Sequence, residues 1–342
     1  MKTFFVLFIE ILVIVCGSSV NAVDAPTRSC PPSGEIPGCT CYDVSLRIIC
    51  KKVNEKFDLK ANYSINTLSF ENNPSLTKLA DKTIPKNLLH VESLIILQTA
   101  ESNKNLPSMQ ILQNVLSIST TFIKIISDHN APNDYLDVED LSTNIQSLII
   151  QGIAKLKNFD STKFNKLTRL QIIDTKLDDD LATNLFFSNS PIKFIEFYNT
   201  NIKGTFSFNP VTCTAGDALT IKLRKNDFLE NFEFSTLFPT SFLNDDEKAK
   251  CSYHIELNDN KDLKEDLFVS SSKQMEAIND FYKKSKNLYL VMKNDKPLNC
   301  PCSLLKTYLI NYDYIHGINC DQPVTKSLDE LQKTDFPQNT CP

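Results

Sequence analysis

The side chains with the most chemical capacity in this chain are its cysteines, and they are unevenly spread. Of the 11, Cys16 falls in an apolar N-terminal run. The others group as Cys30, Cys39, Cys41 and Cys50, then Cys213 and Cys251, then Cys300, Cys302, Cys320 and Cys341. An even, clustered set of thiols predicts a disulfide framework made in an oxidising compartment. The first group reads C-x8-C-x-C-x8-C. Zinc ligation is the other chemistry open to it, disfavoured because no C-x2-C pair or histidine accompanies it. Cys213 and Cys251 lie in two long connections and are predicted to bond to each other.

Other chemistry is sparse. The four histidines, His90, His129, His254 and His316, have no second metal ligand beside them at helical spacing. The acidic runs Asp178-Asp179-Asp180 and Asp245-Asp246-Glu247 read as solvated loops, with an adventitious Ca²⁺ site as the alternative, although neither has a calcium-loop spacing. Nucleophile-elbow, zinc-protease, P-loop and dinucleotide-binding signatures are all missing. The expectation is a non-enzymatic protein without a cofactor or metal. A net charge of -5, with 36 basic residues scattered along the chain, predicts no nucleic-acid partner.

Residues 1–22 read as a secretory signal: Lys2 at the start, FFVLFIEILVIVC as the apolar stretch despite Glu10, and Val20-Asn21-Ala22 at the cleavage site. A retained signal anchor is the alternative, but the apolar run is shorter than the ~20 residues a span needs. The C-terminal FPQNTCP lacks the hydrophobic tail of a lipid-anchor signal. The mature chain is expected to be secreted and extracellular, without a membrane anchor. Asn62-Tyr63-Ser64 is a glycosylation sequon, placed on a polar loop before the first repeat, and Asn73-Pro74-Ser75 is excluded by its proline.

The elements that must position any surface chemistry are repeats. LTRLQIIDTKL places Leu167, Leu170, Ile172, Thr175 and Leu177 at the L-x-x-L-x-L-x-x-N/C/T-x-L positions. IKFIEFYNTNI repeats this with Ile192, Ile195, Phe197, Thr200 and Ile202, and ALTIKLRKNDF with Ala218, Ile221, Leu223, Asn226 and Phe228. Each unit predicts a short strand with alternate side chains inward, and an Asn or Thr satisfying backbone groups where the strand ends. One unit cannot bury its apolar side, so the units must stack.

Further units centre on Leu68, Leu94, Leu116 and Leu148 before these three, and on Ile255 and Leu290 after them, about nine in all. The centres are 22 to 35 residues apart. The long intervals imply insertions at Ser127 to Leu141 and Phe232 to Lys250. Lys264 to Lys286 reads as a helix with Met275, Ile278, Phe281 and Tyr282 on its apolar side.

In register, the outward positions form three columns. One holds Thr67, Ser93, Val115, Ser147, Arg169, Phe194, Thr220, His254 and Tyr289. The next holds Ser69, Ile95, Ser117, Ile149, Gln171, Glu196, Lys222, Glu256 and Val291; the last holds Glu71, Leu97, Ser119, Gln151, Ile173, Tyr198, Arg224, Asn258 and Lys293. The candidate binding residues are Arg169, Phe194, Glu196, Tyr198, Lys222, Arg224, His254, Glu256 and Tyr289, because Arg beside aromatics resembles an interface hot spot. The competing reading is that these side chains simply pair across strands.

The C-x8-C-x-C-x8-C start, the repeats and the N/D-x-P-L-x-C-x-C segment at Asp295 to Cys302 resemble the secreted, cysteine-capped leucine-rich-repeat superfamily. Size, double capping and lack of an anchor are similar to arthropod proteins of the oplophorus-luciferin 2-monooxygenase non-catalytic-subunit type. The resemblance implies an α/β solenoid, a leucine-rich-repeat horseshoe with a parallel concave β-sheet. It comprises a signal peptide (1–22), an N-terminal cap (23–60), repeats (61–298) and a C-terminal cap (299–342). It also implies Cys30–Cys41, Cys39–Cys50, Cys300–Cys320 and Cys302–Cys341 pairings. Leu298 stands where an aromatic is frequent in such caps. The function implied is recognition of an extracellular protein or glycan; an accessory subunit of a secreted enzyme and a pattern-recognition or matrix protein are the alternatives.

Overall fold

Alternation decides the local structure. Segments such as RLQII, FIEFY and ALTIKLR place large apolar side chains at every second position, which commits them to strands buried on one face. The computed structural model describes residues 26–51, 58–71, 89–98, 120–127, 135–138, 144–159, 165–178, 182–183, 186–210, 216–238, 251–263, 278, 280–283, 287–293, 298–299, 315–316 and 320–322.

In chain order the first strands are β1 (Cys39–Tyr42), β2 (Arg47–Cys50), β3 (Tyr63–Glu71), β4 (Leu89–Gln98), β5 (Phe122–Ser127), β6 (Leu136–Asp137), β7 (Ser147–Gln151) and β8 (Lys155–Lys157). There follow β9 (Arg169–Ile173), β10 (Lys176–Leu177), β11 (Phe186–Ser190), β12 (Phe194–Tyr198), β13 (Gly204–Pro210), β14 (Ala218–Arg224) and β15 (Leu229–Glu233). After the short helix α1 (Phe234–Leu237) come β16 (Ser252–Glu256), β17 (Leu288–Val291), β18 (Leu298–Asn299), β19 (Ile315–His316) and β20 (Cys320–Gln322).

Twelve of these form one sheet in the order β1-β2-β3-β4-β5-β7-β9-β12-β14-β16-β17-β19. β1 pairs antiparallel with β2, and every later pairing in this sheet is parallel. The strands follow chain order in this sheet, so the connection between each parallel pair brings the chain back to the start of the next strand. Two three-stranded parallel sheets, β10-β8-β6 and β11-β13-β15, take up several of those connections. The result is a mostly parallel β-structure with few helical residues described, consistent with a solenoid-like α/β class.

Two apolar columns run through the main sheet. Ile48, Leu68, Leu94, Ile123, Leu148, Leu170, Ile195, Ile221, Ile255 and Leu290 are all fully buried, and so are their partners two residues on, from Cys50 and Phe70 to Phe197 and Leu223. Burying one such side chain contributes roughly 1.5–3 kcal/mol. The second column begins with a cysteine. Cys50 lies opposite Cys39 in the β1–β2 hairpin and is bonded to it, and Cys30 is bonded to Cys41. The hairpin thus covers the apolar end of the sheet with two disulfides. Cys251 is also disulfide-bonded and buried, while its predicted partner Cys213 lies outside the described residues. Cys300, Cys302 and Cys341 lie outside them too, as does the side chain of Cys320.

Across the core from β12 and β14, phenylalanines pack in a chain: Phe159, Phe187, Phe206, Phe232, Phe234 and Phe238, with Tyr253 and Phe281 beyond. Neighbouring ring centroids along it lie between 4.2 Å, for Phe238 and Phe281, and 6.4 Å, for Phe159 and Phe187. The predicted helix is present where described, at residues 278 and 280–283, with Ile278, Phe281 and Tyr282 buried. Burial raises the Tyr253 phenol far above its ordinary range.

Two expectations need correction. The third unit centres on Ile123, not Leu116, because Ile123 pairs with Leu94 and Leu148; TTFIKII carries the same alternation one frame later. In the β14 unit Leu219 is buried where Ala218 was expected, and Leu229 where Phe228 was, leaving Phe228 57% exposed. The main sheet also extends beyond the predicted repeats, to β1 and β2 at one end and β19 at the other. The sequon straddles the start of β3: Asn62 precedes the strand and accepts a backbone hydrogen bond from Thr27 at 2.8 Å, while Tyr63 and Ser64 open it.

Strand ends are set by buried polar side chains. Asn226 Nδ2 donates to the Phe197 carbonyl at 3.1 Å, and its Oδ1 accepts from the Thr200 amide at 3.2 Å and the Thr200 hydroxyl at 2.6 Å. Asn260 repeats this one unit on, donating to the Leu223 carbonyl and accepting the Asn226 amide, both at 2.9 Å. Thr175 does so more weakly, accepting the Ile153 amide at 3.1 Å. The residues just before Ile153, Thr175, Thr200, Asn226 and Asn260, namely Gly152, Asp174, Asn199, Lys225 and Asp259, take positive φ. At Gly152 a Cβ would sit 1.7 Å from the Ser127 carbonyl oxygen, so no other residue fits there without moving backbone.

Asn226→Ala strips partners from a buried carbonyl, amide and hydroxyl. It is expected to cost about 2–4 kcal/mol in urea unfolding, with the slope unchanged. A loss below about 0.5 kcal/mol contradicts this role.

Candidate binding face

Pairing places the nine candidate residues on one face of five adjacent strands. Arg169 lies beside Phe194, Phe194 beside Thr220, Thr220 beside His254 and His254 beside Tyr289. The middle column runs Gln171, Glu196, Lys222, Glu256, Val291 and on to His316, which sequence reasoning did not place here. The third brings Ile173, Tyr198 and Arg224 together. Nearer the N-terminus, the corrected register replaces Val115, Ser117 and Ser119 with Phe122, Lys124 and Ile126. Charged and aromatic side chains therefore also occur on the N-terminal strands of this face, where Arg47 and Glu71 form an ion pair at 3.0 Å.

Two networks organise the face. In the first, Glu196 is a carboxylate only 6% exposed. It takes a hydrogen bond from Gln171 Nε2 at 2.6 Å and an ion pair from Arg224. Gln171 Oε1 in turn accepts from Arg169 Nε at 3.1 Å and from a terminal guanidinium nitrogen at 2.9 Å. The two guanidiniums also rest on rings: Arg169 is 4.6 Å from the Phe194 centroid, and Arg224 is 5.4 Å from Tyr198, which also receives Lys225 at 5.3 Å. Burying Glu196 is tolerable because its oxygens are occupied by charged or polar donors.

In the second network Glu256 Oε1 accepts Lys222 Nζ at 2.7 Å and His254 Nε2 at 2.9 Å. The His254 ring packs 4.9 Å from Tyr289, and Tyr289 packs 4.6 Å from His316. Burial pushes the Glu256 carboxyl up, but hydrogen bonds and charge from Lys222 and His254 outweigh it, and the net effect holds the carboxyl below its ordinary value. Tyr289 is 43% exposed and is the largest apolar surface among the nine.

Cross-strand pairing, the competing reading of these residues, is thus present on this face. The side chains satisfy each other and are held still by doing so. The other candidate sites fare differently. Asp178 pairs with Lys155 at 2.7 Å, whereas Asp179, Asp180 and Asp245 to Glu247 lie outside the described residues. A cavity of about 440 Å³ at the N-terminal hairpin is lined by Cys30, Cys39, Cys41, Ile36 and Ile48 together with the polar Ser33, Thr40 and Asp43. No helix among the described residues is long and apolar enough to cross a membrane.

No protein-family model, no curated protein and no solved structure matches the chain.

Because the Glu256 carboxyl is depressed in the folded state, its ionised form favours folding above the unfolded-state value of about 4.3, and that contribution disappears as pH falls through the lower folded value. Wild type is therefore expected to exceed Glu256→Gln in urea midpoint at pH 7, with the gap closing below about pH 4. A gap that stays constant or widens in acid contradicts the pairing.

Proposed function

We propose that this is a secreted, non-enzymatic leucine-rich-repeat protein with disulfide-bonded caps at both ends. It recognises an extracellular protein or glycan through the outward, concave face of its parallel sheet. The favoured patch spans β9 to β17. The observation that carries the reading is the buried Glu196 carboxylate, which fixes Arg224 directly and Arg169 through Gln171, each over an aromatic ring. Binding energy is lost when long side chains must be ordered on association. Here that ordering is done before a partner arrives, and Arg and Tyr are the residues that dominate interfaces when so placed.

Support for the repeat reading comes from the register, which sets the L-x-x-L-x-L positions of successive units opposite one another, and from the Thr and Asn side chains at the strand ends. Support for an extracellular setting comes from the two hairpin disulfides. In this reading the chain stands with the cysteine-capped proteins it resembles.

The test is capture from the native extracellular fluid with the mature chain, beside a variant carrying Arg224→Glu and Tyr198→Ala. One partner retained by wild type and lost from the variant is the expected result. A partner retained by both places the binding surface elsewhere and overturns the proposal.

A further inference from the structure

The charges on this face do not balance evenly. Between β9 and β14 the guanidiniums of Arg169 and Arg224 are served by one carboxylate, Glu196, and that carboxylate is buried. Arg224 reaches it directly. Arg169 makes no ion pair among the described residues, and its compensation is relayed by the neutral amide of Gln171. Lys222 is matched separately by Glu256. The first network therefore presents an outward surplus of positive charge on a chain whose net charge is -5. Both guanidiniums lie over rings, so their forks are ordered while donors remain for a further acceptor. A guanidinium fork matches a carboxylate in shape and charge.

We infer that the Arg169–Phe194 and Arg224–Tyr198 pairs are a docking site for an acidic segment of an extracellular polypeptide, whose carboxylates meet the two guanidiniums and whose neighbouring side chains lie on the two rings. The inference rests on the binding-face reading and names the chemistry of its partner. Sign alternation selects a polypeptide over a sulfated glycan. Along the middle column Glu196, Lys222 and Glu256 alternate, so a uniformly charged polyanion laid across the strands meets repulsion at every second one. A polypeptide can space its acids to match. The negative net charge gives little long-range steering, so the contact depends on short-range complementarity and weakens with salt.

The probe is a short fluorescein-labelled peptide of alternating Glu and Tyr, titrated by polarisation into the full mature chain. Its Gln-Tyr counterpart serves as control and a heparin oligosaccharide as competitor. The Glu-Tyr peptide is expected to bind and the Gln-Tyr peptide not to. Arg169→Gln, a surface change that leaves Glu196 paired, is expected to weaken binding about tenfold, with most of the loss recovered by Arg169→Lys. Arg224→Lys, which keeps the counter-charge to Glu196 but loses the fork, is expected to weaken it too.

Equal binding of the two peptides, no binding, insensitivity to both positions, or a preference for heparin overturns the inference. If the peptide fails while capture from native fluid is still lost with Arg224→Glu and Tyr198→Ala, the face reading stands and the acidic-partner inference alone falls.

Discussion

Parallel strands joined by long connections have little to hold their ends level, and here the level is set by amide and hydroxyl groups buried at the close of each strand. Thr175, Thr200, Asn226 and Asn260 are each 7% exposed or less. Asn226 and Asn260 span two units at once, donating to the carbonyl of the previous strand and accepting from the amide of the previous turn. A buried polar group left without these partners costs more than the bond contributes when made. A slip of one residue would leave several such groups stranded and would turn both apolar columns outward. Register is thereby specified twice, once by hydrophobic alternation and once by polar satisfaction.

The surface inherits that precision. Arg169, Phe194 and Tyr198 are distant in sequence from Arg224, His254 and Tyr289, and nothing but the common strand level makes them neighbours. Once they are level, Glu196 can be buried because Gln171 and Arg224 arrive on either side of it, and Glu256 can serve Lys222 and His254 together. The hairpin at the other end solves a different problem. The first strand of a stack has no predecessor to cover it, and the Cys39–Cys50 and Cys30–Cys41 bonds hold a two-stranded cap there.

Much of this was legible in the sequence because leucine and isoleucine at fixed offsets admit one structural reading. The slots around Leu170 and Ile195, the Thr and Asn positions and the neighbour relations among β9 to β17 were readable there, and the two hairpin disulfides are the pairings that the resemblance implied. The misreadings came where two frames satisfied the same pattern. Leu116 with Ile118 and Ile123 with Ile125 alternate equally well, and the choice is made by pairing to Leu94 and Leu148, which lies outside the local sequence. Phe228 and Leu229 are both apolar, and strand β15 buries the second. The phenylalanine chain was invisible because its members sit in connections of unequal length, with no period to reveal them. His316 was missed because the repeat pattern fades before it.

The measurement closest to the central claim is native-state hydrogen exchange at the amides of Thr200 and Asn226, which donate to the side-chain oxygens of Asn226 and Asn260. If these side chains fix the strand level, both amides exchange as slowly as those of Ile195 and Ile221 in the adjoining strands, opening only with the structure as a whole. Exchange at the rate of exposed turns such as residues 227 and 228 would mean that the buried ladder does not hold the sheet in register, and the account would fail at its base.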